Sequence, residues 1–555
     1  MTETRRSTPL DEIADDFVDT LAKLSPTAAT NWGIPGSDHL LDDYSPAGWG
    51  AQADAIRDVL AKVRTTEPQD EIDEVTAAAM QERLGLELEL HDAGENHASL
   101  NNLASPLQGI RDIFDLMPTD TLEQWETIDE RMSNVPVAVE GYIESLRHAA
   151  ANADGPFPAI RQIEIGIAQA EKLAEPGSFW TTFAESARVP DATSASLSRS
   201  ADAAREAYGR LAEALRELAP RAPEDDAVGR ERYERFSRYF LGARIDLDET
   251  YEWGREELRR IIAEQENTAL QLYGEGTSPE EAMRRLDDDV NRQLDGVDAL
   301  QRWMQETSDQ AVAELADVHF DIPGPVRELE CMIAPSQTGA IYYTAPSSDF
   351  ARPGRMWWSV PAGVTQFGTW REKTTVYHEG VPGHHLQLAQ TIYRSELLNK
   401  WRRLACWVSG HGEGWALYAE RLMADLGYLD DPGDRMGMLD AQRMRAARVV
   451  MDIGVHLGKE APEELGGGTW DEPKAWDFIR ANVNMAEEFL RFELDRYLGW
   501  PGQAPSYKVG QRLWEQARDE AAASAGESFD IKAFHRQALD LGSVGLDTLR
   551  EALIK

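Results

Sequence analysis

The sequence has little cysteine, few basic residues and no long hydrophobic run. Its two cysteines, Cys331 and Cys406, are too few to form a disulfide framework. No stretch approaches the roughly 18 consecutive apolar residues of a membrane-spanning helix. The first residues, MTETRRSTPLDEIADDF, place acidic residues where a secretory signal would have an apolar segment. These absences predict a cytoplasmic protein.

Acidic residues greatly outnumber basic ones, with 98 Asp and Glu against 56 Lys and Arg and a formal net charge of −42. Nucleic acids and anionic membranes are bound by clustered basic side chains, so we expect neither as a partner. The 42% of hydrophobic residues can form a large core in a chain of 555 residues. We therefore expect a folded protein, and its composition says nothing about its oligomeric state.

Helical periodicity runs through most of the chain. Apolar residues recur at intervals of three and four in the segments 10–24, 69–90, 121–149 and 201–218. We divide the sequence into a helical N-terminal half, residues 1–310, and a catalytic C-terminal half, residues 311–555. Because no low-complexity linker separates the halves, we expect one continuous structural unit.

A different pattern occurs between about residues 320 and 364. Short runs rich in Val, Ile, Tyr and Trp, separated by Pro, Ser and Gly, occupy residues 326–334, 340–346 and 355–360. Such runs are typical of β-strands joined by turns. The prediction is therefore a mostly α protein, a large helical body with one small antiparallel β-sheet.

Directly after the predicted sheet comes the segment richest in histidine. Residues 374–390 read TTVYHEGVPGHHLQLAQ, in which His378 is followed at once by Glu379. Neutral imidazoles bind zinc, and a Glu beside the first ligand acts as general base in helices with the H-E-x-x-H pattern. We therefore predict that His378 is a metal ligand and that Glu379 is the catalytic base.

The second histidine does not have the usual spacing. In H-E-x-x-H it lies four residues after the first, whereas here the candidates are His384 and His385. On a straight helix, residue 385 would lie about 10 Å along the axis from His378, too far for two ligands of one ion. Pro382 and Gly383 predict a break in the helix. A break that resets the register by two residues would bring His384 to the metal and leave His385 as a packing or hydrogen-bonding neighbour.

A third ligand is expected from the segment SGHGEGWALYAERL at residues 409–422. Glu413 and Glu420 are seven residues apart and so share one face of a helix. We assign Glu413 to the metal. Glu420 is expected to orient an imidazole ligand or to form a structural ion pair.

These motifs resemble a known family. HEGVPGHHLQ followed by GEGWALYAERL is similar to the bacterial family known as domain of unknown function 885. Further resemblance lies in YY at 342–343, RPG at 352–354, RVVMDIGVH at 448–456 and PGQ at 501–503. By motif, the resemblance covers most of the C-terminal half.

The resemblance implies more than the motifs themselves. That family is similar to thermolysin-like and angiotensin-converting-enzyme-like zinc peptidases, which implies a helical body with a deep cleft. It also implies that Glu379 is the base and that the ligands are His378, His384 and a Glu of the next long helix. It favours His384 over His385.

Further roles follow from the chemistry of amide hydrolysis. The oxyanion that forms when water attacks a carbonyl needs a hydrogen-bond donor, and Tyr507 and His456 are the candidates. Asp452 lies one helical turn before His456 and is expected to hold the tautomer of its imidazole. Arg448, one turn earlier, is expected to bind a substrate carboxylate or to pair with Asp452.

Tyr342, Tyr343 and Arg352 lie in the segment of the predicted sheet. An extended peptide could lie along the edge of such a sheet and contact these side chains. Packing of the tyrosines in a half-buried strand is the structural alternative.

Together these features predict a metal-dependent hydrolase that holds one zinc ion per chain and cleaves amide bonds of short peptides or peptide-like small molecules. Mn or Co would also fit two imidazoles and one carboxylate. One alternative is a metallohydrolase that acts on a non-peptide amide, an ester or a metabolite ring. The other is a non-catalytic binding protein with a degenerate site.

Overall fold

A computed structural model of the protein describes residues 5–334 and 341–554. The structure is 68% helical and has small sheets, which confirms the predicted α class. Within these ranges, none of the helices combines the length and the apolar character needed to cross a membrane.

The part of the chain before the sheet region is built from helices joined by short loops. They are α1 (Pro9–Leu24), α2 (Pro26–Asn31), α3 (Pro46–Thr65), α4 (Glu71–Asp92), α5 (Pro106–Asp112), α6 (Leu122–Ser133), α7 (Val135–Ala151), α8 (Ile160–Ala174), α9 (Phe179–Ser186), α10 (Asp191–Leu218), α11 (Arg230–Leu241), α12 (Leu247–Tyr273), α13 (Pro279–Asp287) and α14 (Val297–Leu315). Local sequence explains the start of several of them. At α1, for example, the Thr8 hydroxyl accepts from the Asp11 amide, and Pro9 occupies the first turn.

Helices resume after the sheet region and continue to the end of the described chain. They are α15 (Thr369–Glu379), α16 (His384–Tyr393), α17 (Ser409–Asp425), α18 (Pro432–His456), α19 (Glu472–Asn482), α20 (Glu487–Gly499), α21 (Ser506–Ala525), α22 (Ile531–Asp540) and α23 (Leu546–Leu553). Helix α15 packs against both α17 and α18, and α17 packs along α21. The histidine-rich segment therefore begins on a helix that packs against α17 and α18.

In the described part of the chain the strands form two small sheets, so the prediction of one antiparallel sheet was wrong. Strands β1 (Gln293–Asp295) and β5 (Gln366–Gly368) pair antiparallel. In the second sheet β4 (Gly354–Trp358) lies between β2 (Leu329–Ile333) and β3 (Ile341–Thr344), parallel to β2 and antiparallel to β3.

Strand order explains the error. Because β3 and β4 form a hairpin and β4 takes the centre, the connection from β2 to β4 contains all of β3. That is long enough for the crossover that a parallel pair requires. The composition of the runs indicated strands but not their order. Residue 340, where the second predicted run begins, lies outside the described residues.

The hydrophobic core has contributions from the whole chain. The largest cluster of buried side chains includes residues from Leu10 to Leu549. A second cluster, which contains Trp125, Trp180 and Tyr208, lies among the helices of the N-terminal half. The division at residue 310 and the single structural unit stay predictions.

Candidate metal centre

Two imidazoles and one carboxylate meet at the junction of α15, α16 and α17. Ligand atoms of His378, His384 and Glu413 all lie within 4.8 Å of one another. Oε2 of Glu413 is 3.5 Å from Nε2 of His378 and 3.6 Å from Nε2 of His384. Ligands at about 2.0–2.1 Å from a tetrahedral zinc ion would be roughly 3.3–3.5 Å apart. The donor set, and the two distances from Glu413 to the imidazoles, therefore fit a divalent metal ion.

A break between α15 and α16 brings the two imidazoles together. Helix α15 ends at Glu379 and α16 begins at His384. The amide of Gly383 donates to the carbonyl of Tyr377 at 3.1 Å, which folds the chain back on the end of α15. As a result, the ring centroids of His378 and His384 are 4.8 Å apart.

Gly383 makes this reversal possible because it has no side chain. A Cβ atom at this position would lie 1.9 Å from the carbonyl oxygen of His378 and 2.5 Å from that of Tyr377. Both neighbours are backbone atoms and could move only with the chain. The indole of Trp415 donates to the carbonyl of Pro382 at 2.8 Å and holds the break against α17.

His385 points away from the candidate metal ligands. Its Nε2 donates to the carbonyl of Val326 at 2.7 Å, and its Nδ1 accepts from the Tyr343 hydroxyl at 2.9 Å. Burial lowers the pKa of His385 to about 4, so the ring is neutral at physiological pH. This residue therefore ties α16 to the sheet region.

Glycine also determines the position of Glu413. Helix α17 approaches α21 so closely that a Cβ atom on Gly414 would lie 2.5 Å from the carbonyl carbon of Gly510. Tyr507, one turn before Gly510, is thereby brought near Glu413. Burial and the charge of Glu413 raise the pKa of Tyr507, which keeps its hydroxyl available as a hydrogen-bond donor.

Glu420 lies behind the cluster and orients one imidazole. Its Oε1 accepts from Nδ1 of His378 at 2.7 Å, and its Oε2 accepts from the Thr374 hydroxyl at 2.8 Å. Nδ1 of His378 is thus a donor to Glu420, and Nε2 is left facing Glu413. Histidines that bind metals usually donate their other ring N–H to a carboxylate in this way.

The cluster carries an excess of negative charge. Burial by itself lowers the pKa of His378, but its contacts with Glu413 and Glu420 outweigh burial and raise the pKa to about 10. Although burial opposes it, the two imidazoles hold the pKa of Glu413 well below its usual range. Nδ1 of His384 is buried and has no hydrogen-bond partner in the described structure. Because its negative charge is in excess, the cluster favours the binding of a cation.

The cluster opens into a cavity of about 630 Å³. Glu379 is buried in its wall, directly after His378, and does not belong to the three-ligand group. Of the other predicted residues, Tyr342, Tyr343, Arg448 and Tyr507 also line the cavity. The remaining lining residues include Ile341, Thr375, Leu388, Trp407, Gly437, Ala441, Met444, Val483, Asn484 and Met485.

The structure does not bring Asp452 and His456 to this cavity. Nε2 of His456 lies 3.0 Å from the carbonyl oxygen of Tyr497 but 3.9 Å from Oδ1 of Asp452. The other carboxylate oxygen of Asp452 accepts from the Tyr233 hydroxyl at 2.7 Å and the Gly502 amide at 2.9 Å. Both side chains are buried and hold helices and loops together, so we remove the oxyanion role from His456 and the tautomer role from Asp452.

Arg352 and Arg448 are also engaged by the protein itself. Arg352 donates to the carbonyl of Ala345 at 2.7 Å, within its own loop, and does not line the cavity. Arg448 lines the cavity but pairs with Glu493 at 2.8 Å and donates to the Tyr497 hydroxyl at 2.5 Å. Its predicted pairing with Asp452 is wrong, because partners from α20 occupy the guanidinium.

Four charged residues of the cavity wall were not predicted from the sequence. They could have been found by extending the helical spacing backwards from Glu379 and from Arg448. They are Arg371, Glu372, Asp440 and Arg445. Burial raises the pKa of Glu372 to about 7 and that of Asp440 to about 6, although Arg371 opposes both effects.

The raised pKa of Glu372 makes stability depend on pH. Between the ordinary value of 4.5 and about 7, the folded protein keeps a proton that the unfolded chain releases, so stability falls as pH rises through this window. Glu372→Gln needs no ionisation and is expected to be more stable than the wild type at pH 8 by about 1–3 kcal/mol. At pH 4.5 the two proteins should melt at the same temperature.

Thermal melting at both pH values measures this difference. The control is Glu306→Gln on α14, where the side chain is exposed and the same change removes a solvated charge. If the Glu372 variant gains as much at pH 4.5 as at pH 8, the buried carboxyl does not titrate in this window.

The fold is similar to two solved structures. A "putative lipoprotein" from Colwellia psychrerythraea matches with a TM-score of 0.82 and 23% identity, over 98% of this chain and 98% of that chain. A "putative lipoprotein of unknown function" from Shewanella oneidensis matches with a TM-score of 0.75 and 16% identity, over 99% and 100% of the two chains. At these identities the similarity concerns the fold alone. No curated protein matches the sequence.

The names of these two proteins overturn the prediction of a cytoplasmic location. A lipoprotein is attached to a membrane by lipid, whereas the prediction was based on composition and on the first residues of the sequence. Composition is a poor guide here, because a folded, acidic domain has the same physical properties on either side of a membrane. We therefore withdraw the cytoplasmic location.

A family comparison covers nearly the whole chain. The profile of a family of bacterial proteins of unknown function, DUF885, matches residues 26–553. The match includes the helical N-terminal half as well as the segment with the candidate metal ligands. It therefore extends the resemblance first seen in the C-terminal motifs. The protein belongs to the DUF885 family of bacterial proteins of unknown function.

Proposed function

We propose that the protein is a zinc-dependent hydrolase that cleaves amide bonds in short peptides or peptide-like small molecules. The observation that carries the proposal is the convergence of His378, His384 and Glu413 beside a buried Glu379, at the wall of a cavity. Two imidazoles, one carboxylate and an adjacent Glu are the donor set and the base of zinc hydrolases. Mn or Co would suit the same donors.

The residues around the cluster have complementary tasks. An ion held by these three ligands would act as a Lewis acid toward a carbonyl oxygen and a bound water. Glu379 accepts the proton of the attacking water and returns it to the leaving nitrogen. Tyr507 donates a hydrogen bond to the oxyanion, and Glu420 keeps the proton of His378 on Nδ1.

The size of the cavity supports small substrates. A volume of about 630 Å³ lies within the range of about 300–1,000 Å³ found for small-molecule sites. A folded protein could not enter it, whereas a peptide of a few residues could.

Metal content and metal-dependent hydrolysis test the proposal together. Protein purified without added metal is expected to contain about one zinc ion per chain by mass spectrometry, as three protein ligands predict. It should cleave members of a library of short peptides, lose this activity with a chelator and regain it with zinc. Absence of bound metal after zinc is offered at neutral pH would contradict the proposal. Cleavage of small amides or esters without cleavage of peptides would keep the metal site but change the substrate class.

A further inference from the structure

Three arginines line the cavity, and two of them are neutralised by carboxylates. Arg371 lies 3.6 Å from Asp287 and 3.5 Å from Asp440. Arg448 pairs with Glu493 at 2.8 Å. These two guanidinium groups contribute shape and hydrogen bonds to the wall but little net charge.

The third arginine, Arg445, is different. Its Nη1 donates to the carbonyl of Ala441 at 3.1 Å in its own helix, and its Nε finds no hydrogen-bond partner among the described residues. No carboxylate of residues 5–334 or 341–554 forms an ion pair with it. This half-buried guanidinium cannot release its proton, and it interacts with the buried Glu420 carboxylate only at longer range, without a direct ion pair.

Arg445 lies close to the proposed chemistry. It is near enough to Tyr507 and to Glu420 to interact electrostatically with both. Tyr507 and Arg445 line the cavity together with Glu413 and His378, so Arg445 adjoins the candidate metal centre from the α18 side. Because Arg445 lines the same cavity as His378, His384 and Glu413, an anionic group bound to it would share that cavity with the bond to be cut.

We propose that Arg445 binds the free C-terminal carboxylate of the peptide substrate, which makes the enzyme a C-terminal exopeptidase. The inference rests on the proposed hydrolase function. Arginine is the side chain best suited to a carboxylate, because its planar fork can donate two parallel hydrogen bonds. Glu379 lines the same cavity, and its carboxylate would otherwise repel a substrate carboxylate. Arg445 therefore takes the role that the sequence suggested for Arg448.

The test compares peptides that differ only at the C-terminus. A library of tri- and tetrapeptides is prepared with a free carboxylate, as C-terminal amides, and as amides that contain a Glu side chain. With zinc-loaded wild-type protein, kcat/KM for the free acids is expected to exceed that for the plain amides by about 100-fold, as loss of a charged hydrogen-bonded pair predicts. The Glu-containing amides show whether a side-chain carboxylate can substitute.

Arg445→Met should lower kcat/KM for the free acids about 100-fold more than that for the amides, and Arg445→Lys should restore part of this difference. The control is Arg435→Met on the same helix, where the guanidinium pairs with Asp430 at the surface. It should keep the wild-type preference. Equal cleavage of acids and amides by the wild type would overturn the carboxylate site and leave the hydrolase proposal intact.

A binding measurement separates the two proposals if no peptide is cleaved. Calorimetry of zinc-loaded protein with the tripeptide Ala-Ala-Ala and with its C-terminal amide reports the carboxylate site without hydrolysis. Tighter binding of the free acid by wild type, lost in Arg445→Met, would support the site while the hydrolase proposal fails. Equal binding of acid and amide, or no binding of either, would overturn it.

Discussion

Replacement of Glu379 with glutamine is expected to abolish hydrolysis while the zinc content stays near one ion per chain. Glu379 follows the first candidate ligand and lines the cavity, but the three-ligand group does not include it. Glutamine has nearly the same shape and cannot accept a proton from water. General-base catalysis contributes about 10²–10⁴-fold, so kcat should fall by about 1,000-fold or more.

The metal measurement makes this result specific. Loss of activity with zinc retained assigns Glu379 to proton transfer, whereas loss of both would indicate that the side chain supports the site mechanically. Glu306→Gln on α14 is the matched control and should have full activity. A Glu379 variant that cleaves a confirmed substrate at the wild-type rate would refute the mechanism.

The helical class and the pieces of the site were predictable because both depend on local patterns. Apolar residues at intervals of three and four indicate helices. The pair His378-Glu379 and the helix with Glu413 and Glu420 follow from the same spacing rules. The structure brings these four side chains into one neighbourhood.

Features that depend on the path of the chain were not predictable. Asp452 and His456 are one turn apart on α18, as their spacing requires, but that face of the helix meets Tyr233 and α20 rather than the cavity. Spacing along a helix predicts which residues are neighbours and not what the shared face contacts.

Ion-pair partners show the same limit of local patterns. Arg448 and Arg445 are three residues apart and chemically identical. Glu493 on α20 pairs with Arg448, whereas no carboxylate of the described residues forms an ion pair with Arg445. The antiparallel sheet was wrong for a related reason, since the middle position of β4 depends on strand order. Long-range partners decided each of these outcomes.

His384→Ala and His385→Ala are expected to have opposite effects on zinc binding, although the two residues are neighbours. His384→Ala removes one of three candidate protein ligands and should lower zinc affinity by more than about 100-fold. Loss of a residue that only hydrogen-bonds a ligand costs less than this. His385→Ala should keep the zinc. It leaves the Tyr343 hydroxyl and the Val326 carbonyl without their partner and should lower stability by about 2–4 kcal/mol.

Zinc content after dialysis against a weak chelator, together with melting temperatures, distinguishes the two variants. His385→Gln is a second variant that keeps a polar side chain, and it should retain zinc with a smaller loss of stability. The expected pattern follows from Gly383, whose lack of a side chain lets the chain fold back and reset the register by two residues. If the His385 variants lost zinc and His384→Ala kept it, the chain would take another path through the break, and the candidate centre would have to be rebuilt around His385.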